Sequence, residues 1–488
     1  MERLTFNVSR GRGPRSLFVG SRGDAPAPRA AASSRKAAAR SRVAAIRERY
    51  DWDYLWMIAF TAVLFFRPQD HFAALSPVHL AELTAIAGLV AMAARRMASG
   101  QPIARINPEV IGVLVLGAVI LFTTPFSFWP GGSLALFSDV YVKIILVFAL
   151  MVSTITTPKR LSQMTWLIIV ICGYLSVRGI YDYMRGVNLI EGNRLRGAVG
   201  GFMENPNDLA TNLIVFMAPA LLILFQDNRL FRRLLAAGIV LVMAMAIVLT
   251  KSRAGFLGIG AMGLVAVYYA MRQRPSVVFA LILAALVATP LMPESVWDRM
   301  ASITNPDQEQ NGSREQRIQL YRQGLQVFAE NPLTGIGAGQ FVNYDGDMMQ
   351  ARWRVTHNVW LQVAAELGIF GFCTFAFLVW RAFTACFAAR RAIRGPTKRS
   401  PGVTTTLTPQ EQNVIDRNAK GMLAGLAGWA VCALFASVAF NWTFYYVFAL
   451  AVAGREIARD RRAAIEPAAA PAVATVPAAG WRRTQYAG

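Results

Sequence analysis

His357 is the residue best suited to act as a general base, and polar side chains follow it at helical spacing. It is one of three histidines in the chain. An imidazole titrates near neutral pH, so it can take a proton from an attacking hydroxyl group. Asn358, Gln362 and Glu366 come next at intervals of four residues and would share one helix face. A histidine at a helix start can also be a cap or an interface residue, and the spacing leaves both roles open.

Arginines form the second set of residues that could do chemistry. A guanidinium stays charged and offers a fork of donors that fits phosphate oxygens. The arginines that we consider for phosphate binding are Arg194, Arg196, Arg253, Arg314 and Arg317. Arg314 and Arg317 fall near a predicted helix N-terminus, where the helix dipole disfavours cations and a bound anion would offset the conflict.

These arginines also have a simpler interpretation, in which they pair with loop acids such as Glu315 or with lipid headgroups. We favour that interpretation for Arg352 and Arg354. For Arg253 we favour a functional role, because it is held in the short Lys251–Gly255 turn between two apolar segments.

Other chemical signals in the sequence are weak. The chain has three histidines but neither an HExxH motif nor an acidic cluster, so we predict no metal site. It also lacks a nucleotide-binding loop motif, so we predict no cofactor. The glycines of 335–339 match a dinucleotide motif by letters only, because no strand precedes them.

The four cysteines lie in apolar runs and are expected to be buried, unpaired thiols. The pairs Asp139/Lys143 and Arg178/Asp182, each four residues apart, favour mutual neutralisation on a helix over a transport relay.

Composition places these residues in a membrane protein. Of the 488 residues, 55% are hydrophobic and only 16% are charged, yet the net charge is +22. A soluble domain carries about 25% charged residues, and a nucleic-acid-binding protein would place its basic residues on a polar chain. The composition therefore excludes both classes and predicts that the partners include membrane lipids and no nucleic acid.

Apolar runs recur at the length that a helix needs to cross a bilayer. They predict an all-α polytopic fold with about twelve spans: 54–67, 78–95, 109–127, 137–157, 162–183, 207–226, 232–250, 254–272, 276–294, 367–388, 420–438 and 441–457. Alternate loops differ in charge, and most lysines and arginines fall on the side of the N-terminus. The positive-inside rule therefore predicts that both termini are cytoplasmic.

Three segments frame these spans. Residues 1–50 are predicted to be a basic, disordered cytoplasmic arm, 51–457 the transmembrane domain, and 458–488 a disordered cytoplasmic tail. The long loop 295–357 would lie on the outer side and hold an amphipathic helix. Ser313 begins a capping-box pattern there, apolar residues then recur at helical spacing, and Asn331-Pro332 ends the helix.

Four motifs, in this order, resemble the superfamily of O-antigen ligases and O-antigen polymerases, which are bacterial inner-membrane glycosyltransferases. They are Glu204–Ala210 (ENPNDLA), Ser252–Gly255 (SRAG), the run from Arg317 to Gly337, and His357–Gln362 (HNVWLQ). The resemblance covers roughly residues 54–456, so it extends over nearly all of the predicted membrane domain.

The resemblance implies a C-type, metal-independent, inverting glycosyltransferase. Such an enzyme takes a glycan from undecaprenyl diphosphate at the periplasmic face and transfers it to an acceptor hydroxyl. It implies catalytic roles for Arg253, Arg317 and His357; Arg317 is preferred to Arg314 because it stands four residues before Tyr321. The residues expected to bind substrate are Arg194, Arg196, Arg314, Asn205, Asn358 and Gln362.

The resemblance also implies a multi-pass protein of the bacterial inner membrane. We favour a ligase that uses the lipid A core as acceptor. An O-antigen or exopolysaccharide polymerase and a protein O-oligosaccharyltransferase of the same superfamily are the alternatives. A secondary transporter or a flippase for lipid-linked glycans is the alternative from a different class.

Overall fold

Helices make up nearly all of the regular structure that is described. The computed structural model describes residues 51–190, 193–197, 200–291, 294, 296, 297, 301, 313–344, 355–394 and 403–464. The predicted N-terminal arm, most of the predicted C-terminal tail and part of the long loop lie outside these residues. The predicted all-α polytopic fold is confirmed.

The main helices are α1 Trp52–Phe66, α2 Leu80–Met97, α3 Pro108–Thr123, α4 Pro130–Thr154, α5 Pro158–Met184, α6 Pro206–Gln226, α7 Leu230–Leu249, α8 Arg253–Ala270, α9 Pro275–Ala288, α10 Ser313–Glu330, α11 Val359–Ala392, α12 Pro409–Ala433 and α13 Trp442–Asp460. Short helical turns lie at Pro68–His71, Ala73–Val78, Thr124–Phe126, Gly201–Met203, Thr289–Leu291 and Phe341–Asn343, and a π-helical turn within α4 at Phe137–Tyr141. Strand β1 (Leu189–Ile190) pairs antiparallel with β2 (Arg194–Leu195), and β3 (Val403–Thr405) with β4 (Arg462–Ala464).

Eight of these helices, within the described residues, are long and apolar enough to cross a membrane. They are α2 to α8 and α11, and each coincides with a predicted span. The other four predicted spans are also helices, but α1 and α9 are shorter, and α12 and α13 carry more charged residues. The predicted helix in the long loop is confirmed as α10, which ends at Glu330, just before Asn331-Pro332.

Several helices begin at an Asn-Pro or Thr-Pro pair. Proline suits the first helical position because its φ is already helical and it lacks an N–H that would go unpaired. The preceding side chain then accepts a hydrogen bond from a backbone N–H of the first turn. The residues that cap helices in this way are Asn107 (α3), Thr157 (α5), Asn205 (α6) and Thr408 (α12). Local sequence therefore fixes where these helices start.

Helices α6 and α13 lie at the centre of the helical core. Of the most apolar window of α6, 89% is buried, against 17% for α2, and α13 is buried almost continuously from Thr443 to Ala458. Aromatic rings join α13 to its neighbours, and Phe444 stacks on Trp429 of α12 with ring centroids 4.6 Å apart. The two central helices give the residues at their ends a rigid support.

Hydrogen bonds sort the helix ends into two groups. At one end, which we call the site end, the Gly200 N–H donates to Asp70 and the Thr443 hydroxyl donates to Asn212. The site end comprises the C-terminal ends of α1, α3, α5, α7 and α12 and the N-terminal ends of α2, α4, α6, α8, α11 and α13. The opposite helix ends form the distal end.

A buried ionic cluster lies at the distal end, and the sequence did not predict it. The Arg455 Nη1 donates to Glu109 Oε1 at 2.6 Å, and the Arg381 Nε donates to the same oxygen at 2.7 Å. Glu109 is fully buried and Arg455 is 1% exposed. The cluster joins α3, α11 and α13, whose partner residues are separated by 272 and 346 positions in the chain.

Two of the predictions about polar pairs and thiols need correction. Arg178 pairs with Asp182 as predicted, at 2.9 Å, but Lys143 pairs with Glu82 of α2 at 2.8 Å rather than with Asp139. A neighbouring helix supplies the nearer carboxylate in that case. Cys373 is exposed, contrary to the prediction that all four cysteines are buried, because it lies on an outward side of α11.

Candidate functional site

The turn that carries Arg253 is tied to the start of α6 and to Arg194. Ser252 is the N-cap of α8: its hydroxyl accepts from the Gly255 N–H at 3.1 Å and donates to Asn207 Oδ1 at 2.7 Å. Arg194 Nη2 donates to the same Asn207 oxygen at 3.3 Å, and its Nε donates to the Thr250 carbonyl at 3.1 Å. Arg194 and the turn that carries Arg253 therefore lie together, although they are far apart in the sequence.

Asn358 and Tyr321 join the loop helix α10 to the start of α11. Asn358 is the N-cap of α11, where its Oδ1 accepts from the Trp360 and Leu361 N–H groups. Its Nδ2 donates to the Tyr321 hydroxyl at 2.8 Å, and both groups also donate to the Leu434 carbonyl, at the end of α12.

His357 and Arg317 lie close enough to influence each other. Burial and the positive charge of the Arg317 guanidinium lower the pKa of His357 from 6.5 to about 4. The imidazole is therefore neutral at pH 7, which is the form that a general base requires. His357 has a φ of 49°, a left-handed conformation that is uncommon outside glycine. Its backbone conformation is thus determined by its surroundings rather than by its own preference.

Positive φ values mark this end of the molecule more widely. The non-glycine residues with positive φ, among those described, are Arg67, His79, Asn188, Lys251 and His357, and all of them lie at the site end. Such conformations cost about 1–3 kcal/mol each and occur often at functional sites. Lys251, which immediately precedes the N-cap of α8, is also only 2% exposed.

The end of α12 connects the two halves of the site. Cys432 Sγ contacts the carbonyl of Ala254, next to Arg253, at 3.4 Å. Two residues further on, the Leu434 carbonyl contacts the α10–α11 junction. The predicted span 420–438 was too long at this point: α12 stops at Ala433. The segment that follows bonds to side chains instead, since the Ala439 N–H donates to Gln362.

The remaining predicted site residues are placed as follows. Arg196 forms an exposed pair with Glu204 at 3.6 Å and has no described contact with His357 or Arg253. Asn205 caps α6 by accepting from the Asn207 N–H. The side chain of Arg314 lies outside the described residues, so its predicted role remains a prediction. Within the described residues, no group of three His, Cys, Asp or Glu side chains is arranged to hold a metal ion.

Two residues of this region were missed as site candidates. Asn207 joins Arg194 to Ser252, and Glu366 is a buried carboxyl on α11 that accepts from the Gly339 N–H at 2.9 Å. Both gave a signal in the sequence: Asn207 lies within the ENPNDLA motif, and Glu366 continues the Asn358–Gln362 helix face.

Residues 238–376 match the sequence model of a family described as O-antigen ligase. The matched region begins within α7, ends within α11 and includes Arg253, Arg317 and His357. A comparison with curated proteins gives no match. The family match supports assignment of this chain to the O-antigen ligase superfamily, as a glycosyltransferase-like membrane enzyme.

Proposed function

We propose that this protein is an O-antigen ligase that transfers a glycan from undecaprenyl diphosphate to a hydroxyl of the lipid A core. The observation that carries the proposal is the convergence of three elements at the end of α12: the Arg253 turn, the Arg317 helix and the His357 start of α11. Fixed cations and a neutral imidazole at one place are what transfer from a diphosphate leaving group requires.

In this proposal Arg253 and Arg317 bind the diphosphate. As the bond between the anomeric carbon and the phosphate oxygen breaks, negative charge accumulates on the diphosphate. Guanidinium groups already held in position stabilise that charge more in the transition state than in the ground state. The N-cap position of Ser252 and its bond to Asn207 give Arg253 a fixed starting point for this role.

His357 is the proposed base. It takes the proton from the acceptor hydroxyl as that oxygen attacks the anomeric carbon from the side opposite the diphosphate, which inverts the configuration. A free-enzyme pKa of about 4 makes the imidazole a weak base. Since Arg317 contributes to that low pKa, a bound diphosphate would offset the Arg317 charge and raise the basicity of His357. Donor binding would thereby activate the base.

The other predicted substrate-binding residues divide by their contacts. Arg194, which is 7% exposed, holds the Thr250 carbonyl and Asn207, so we assign it to positioning the Arg253 turn. Asn358 and Gln362 hold the start of α11 against the segment after α12. Asn205 caps α6, which leaves Arg196 and Arg314 as the further candidates for direct phosphate contact.

The proposed place of reaction is the periplasmic face of the bacterial inner membrane, with both termini in the cytoplasm. The argument is the charge asymmetry of the loops, together with the position of the candidate site at the helix ends opposite the ionic cluster of Glu109. A multi-pass membrane protein is supported by the apolar helices and the family match.

Analysis of glycans by mass spectrometry in a strain lacking the gene tests this function. A ligase is expected to leave polymer on the lipid carrier while the capped lipid A core disappears, and His357→Ala should fail to restore the cap. His79→Ala is the matched control, since His79 lies at the same end and its side chain is 70% exposed. Loss of chain length would instead indicate a polymerase, loss of glycoprotein a protein O-oligosaccharyltransferase, and accumulation of units at the cytoplasmic face a flippase.

A further inference from the structure

The loop that follows α10 docks into a break in α11. Gly368 has a φ of 62° and interrupts the helix. Three backbone hydrogen bonds cross between the loop and the break: Ile336 N–H to Ala365 O at 3.0 Å, Gly337 N–H to Glu366 O at 2.8 Å, and Ile369 N–H to Pro332 O at 2.8 Å. A helix break leaves backbone groups without intrahelical partners, and the loop 332–339 pairs with them.

Glycine is required on both sides of this junction. A Cβ on Gly335 would lie 2.4 Å from the Glu366 carbonyl carbon, and a Cβ on Gly368 would lie 2.4 Å from that of Leu333. Both residues also have positive φ values, 64° and 62°. The close approach of the two backbones explains the glycines that, by letters alone, resembled a dinucleotide motif.

The side chain of Glu366, on α11, stabilises the contact between the 335–339 loop and the break in α11. Its side chain is buried, with the whole residue 2% exposed, and its Oε2 accepts from the Gly339 N–H at 2.9 Å. The Phe341 backbone and the Gln362 side chain lie close enough to act on the same carboxyl group. Glu366 therefore holds the far end of the loop, while its own carbonyl holds the middle.

The docked loop fixes the helix that precedes it. Helix α10 ends at Glu330 and the loop continues directly from it, with Gly335 N–H donating to Asn331 O at 3.0 Å. A small apolar cluster, consisting of Leu320, Val327, Ile336, Phe341 and Ala365, joins α10, the loop and α11. Val327 is the last residue of α10 in this cluster, and Tyr321 and Arg317 lie about two and three helical turns before it. The position of the loop therefore sets how this part of α10 lies along α11.

We propose that Glu366 is a positioning residue: by holding the 335–339 loop in the break of α11, it places α10 so that Arg317 faces His357. The proposal rests on the proposed function for the roles of Arg317 and His357. Glu366 itself contacts backbone and Gln362, so it acts through the geometry of α10 rather than on substrate.

The test measures the titration of His357 in the full-length protein, reconstituted in lipid nanodiscs without substrate. Carbon-13-labelled histidine gives three signals, and His357→Ala assigns the relevant one. The pKa of His357 in the wild-type protein is expected to be about 4. Arg317→Ala is expected to raise this pKa toward 6.5, and the size of that increase is the reference for the other variants. Glu366→Ala is expected to raise the pKa in the same direction because α10 moves away. Glu366→Gln keeps an oxygen that can accept from Gly339, and the pKa should stay low.

A second variant protects the test against misfolding. Glu366→Asp retains a carboxyl group but shortens the side chain, so it should weaken the Gly339 contact and give an intermediate pKa. If folded Glu366→Ala and Glu366→Asp both keep the wild-type pKa of His357, the proposal is wrong. The titration needs no transfer activity, so it stands even if the protein is not a ligase. A raised pKa with unchanged transfer would contradict the proposed roles of Arg317 and His357 and leave the positioning role intact.

Discussion

The side-chain amide of Asn358 donates a 2.8 Å hydrogen bond to the hydroxyl of Tyr321. The two residues belong to α11 and to the loop helix α10, and both bond to the Leu434 carbonyl. One three-way contact therefore connects the helix that carries His357 at its start, the helix that carries Arg317, and the end of α12.

Replacing Tyr321 by Phe should loosen this junction. The variant removes the hydroxyl that accepts from Asn358 and donates to Leu434, and a lost hydrogen bond of this kind costs about 1 kcal/mol. We expect the transfer rate to fall by about fivefold to tenfold, through misplacement of Arg317, with the protein still folded. Tyr344→Phe, whose hydroxyl only reaches Glu330 at 3.4 Å, is the control. Equal rates for both variants in an assay with purified lipid-linked donor would contradict the prediction.

Arg253→Ala should weaken donor binding more than it changes the fold. The hydrogen bonds of Ser252 with Asn207 and with the Gly255 N–H do not involve the Arg253 guanidinium, so the variant retains them. We expect donor affinity to drop by about tenfold or more, because a charge-assisted hydrogen bond to phosphate contributes about 1.5–3 kcal/mol. Arg322→Ala, an exposed arginine of α10, should leave affinity unchanged. Unaltered donor binding and turnover in Arg253→Ala would remove Arg253 from the site.

The pH profiles of kcat/KM and kcat should differ. The kcat/KM profile reports groups of the free enzyme, and kcat those of the substrate complex. Since the free-enzyme pKa of His357 is lowered to about 4, His357 should cause kcat/KM to fall only when the pH approaches 4 and the imidazole becomes protonated. Bound diphosphate offsets Arg317, so the acid limb of kcat should lie at a higher pH. Coincident acid limbs would show that Arg317 and the donor do not interact in this way.

The distal ionic cluster should matter for stability rather than chemistry. Glu109→Gln removes the carboxylate that Arg381 and Arg455 share and leaves Arg455 paired with Glu456 alone. Breaking a buried ion pair costs up to about 3–5 kcal/mol. We expect a clearly lower thermal midpoint in detergent. Glu82→Gln breaks the more exposed Lys143 pair and should cost at most about 1 kcal/mol. Similar midpoints for the two variants would argue against a structural role for the cluster.

The sequence was sufficient for local features and insufficient for contacts between distant segments. Hydrophobic run length, the capping-box pattern at Ser313 and the Asn331-Pro332 stop predicted where most helices lie, because each signal is contained within a short stretch of the chain. The His357 region and the Arg253 turn were found because their residue types are unusual beside apolar segments. The end of α12 at Ala433 was not predictable, because the segment that follows it bonds to side chains of α10 and α11, which are distant in the sequence. For the same reason Glu109 and Arg455, which are 346 positions apart, gave no sign of their pairing.

The most direct measurement of the central claim is single-turnover transfer by His357→Ala with saturating lipid-linked donor and lipid A core acceptor. A general base contributes about 100- to 10,000-fold to the rate, so we predict a loss of that size. Donor affinity should remain within about threefold of wild type, because Arg253 and Arg317 remain in place. A variant that keeps more than half of the wild-type transfer rate would contradict the assignment of His357 as the base.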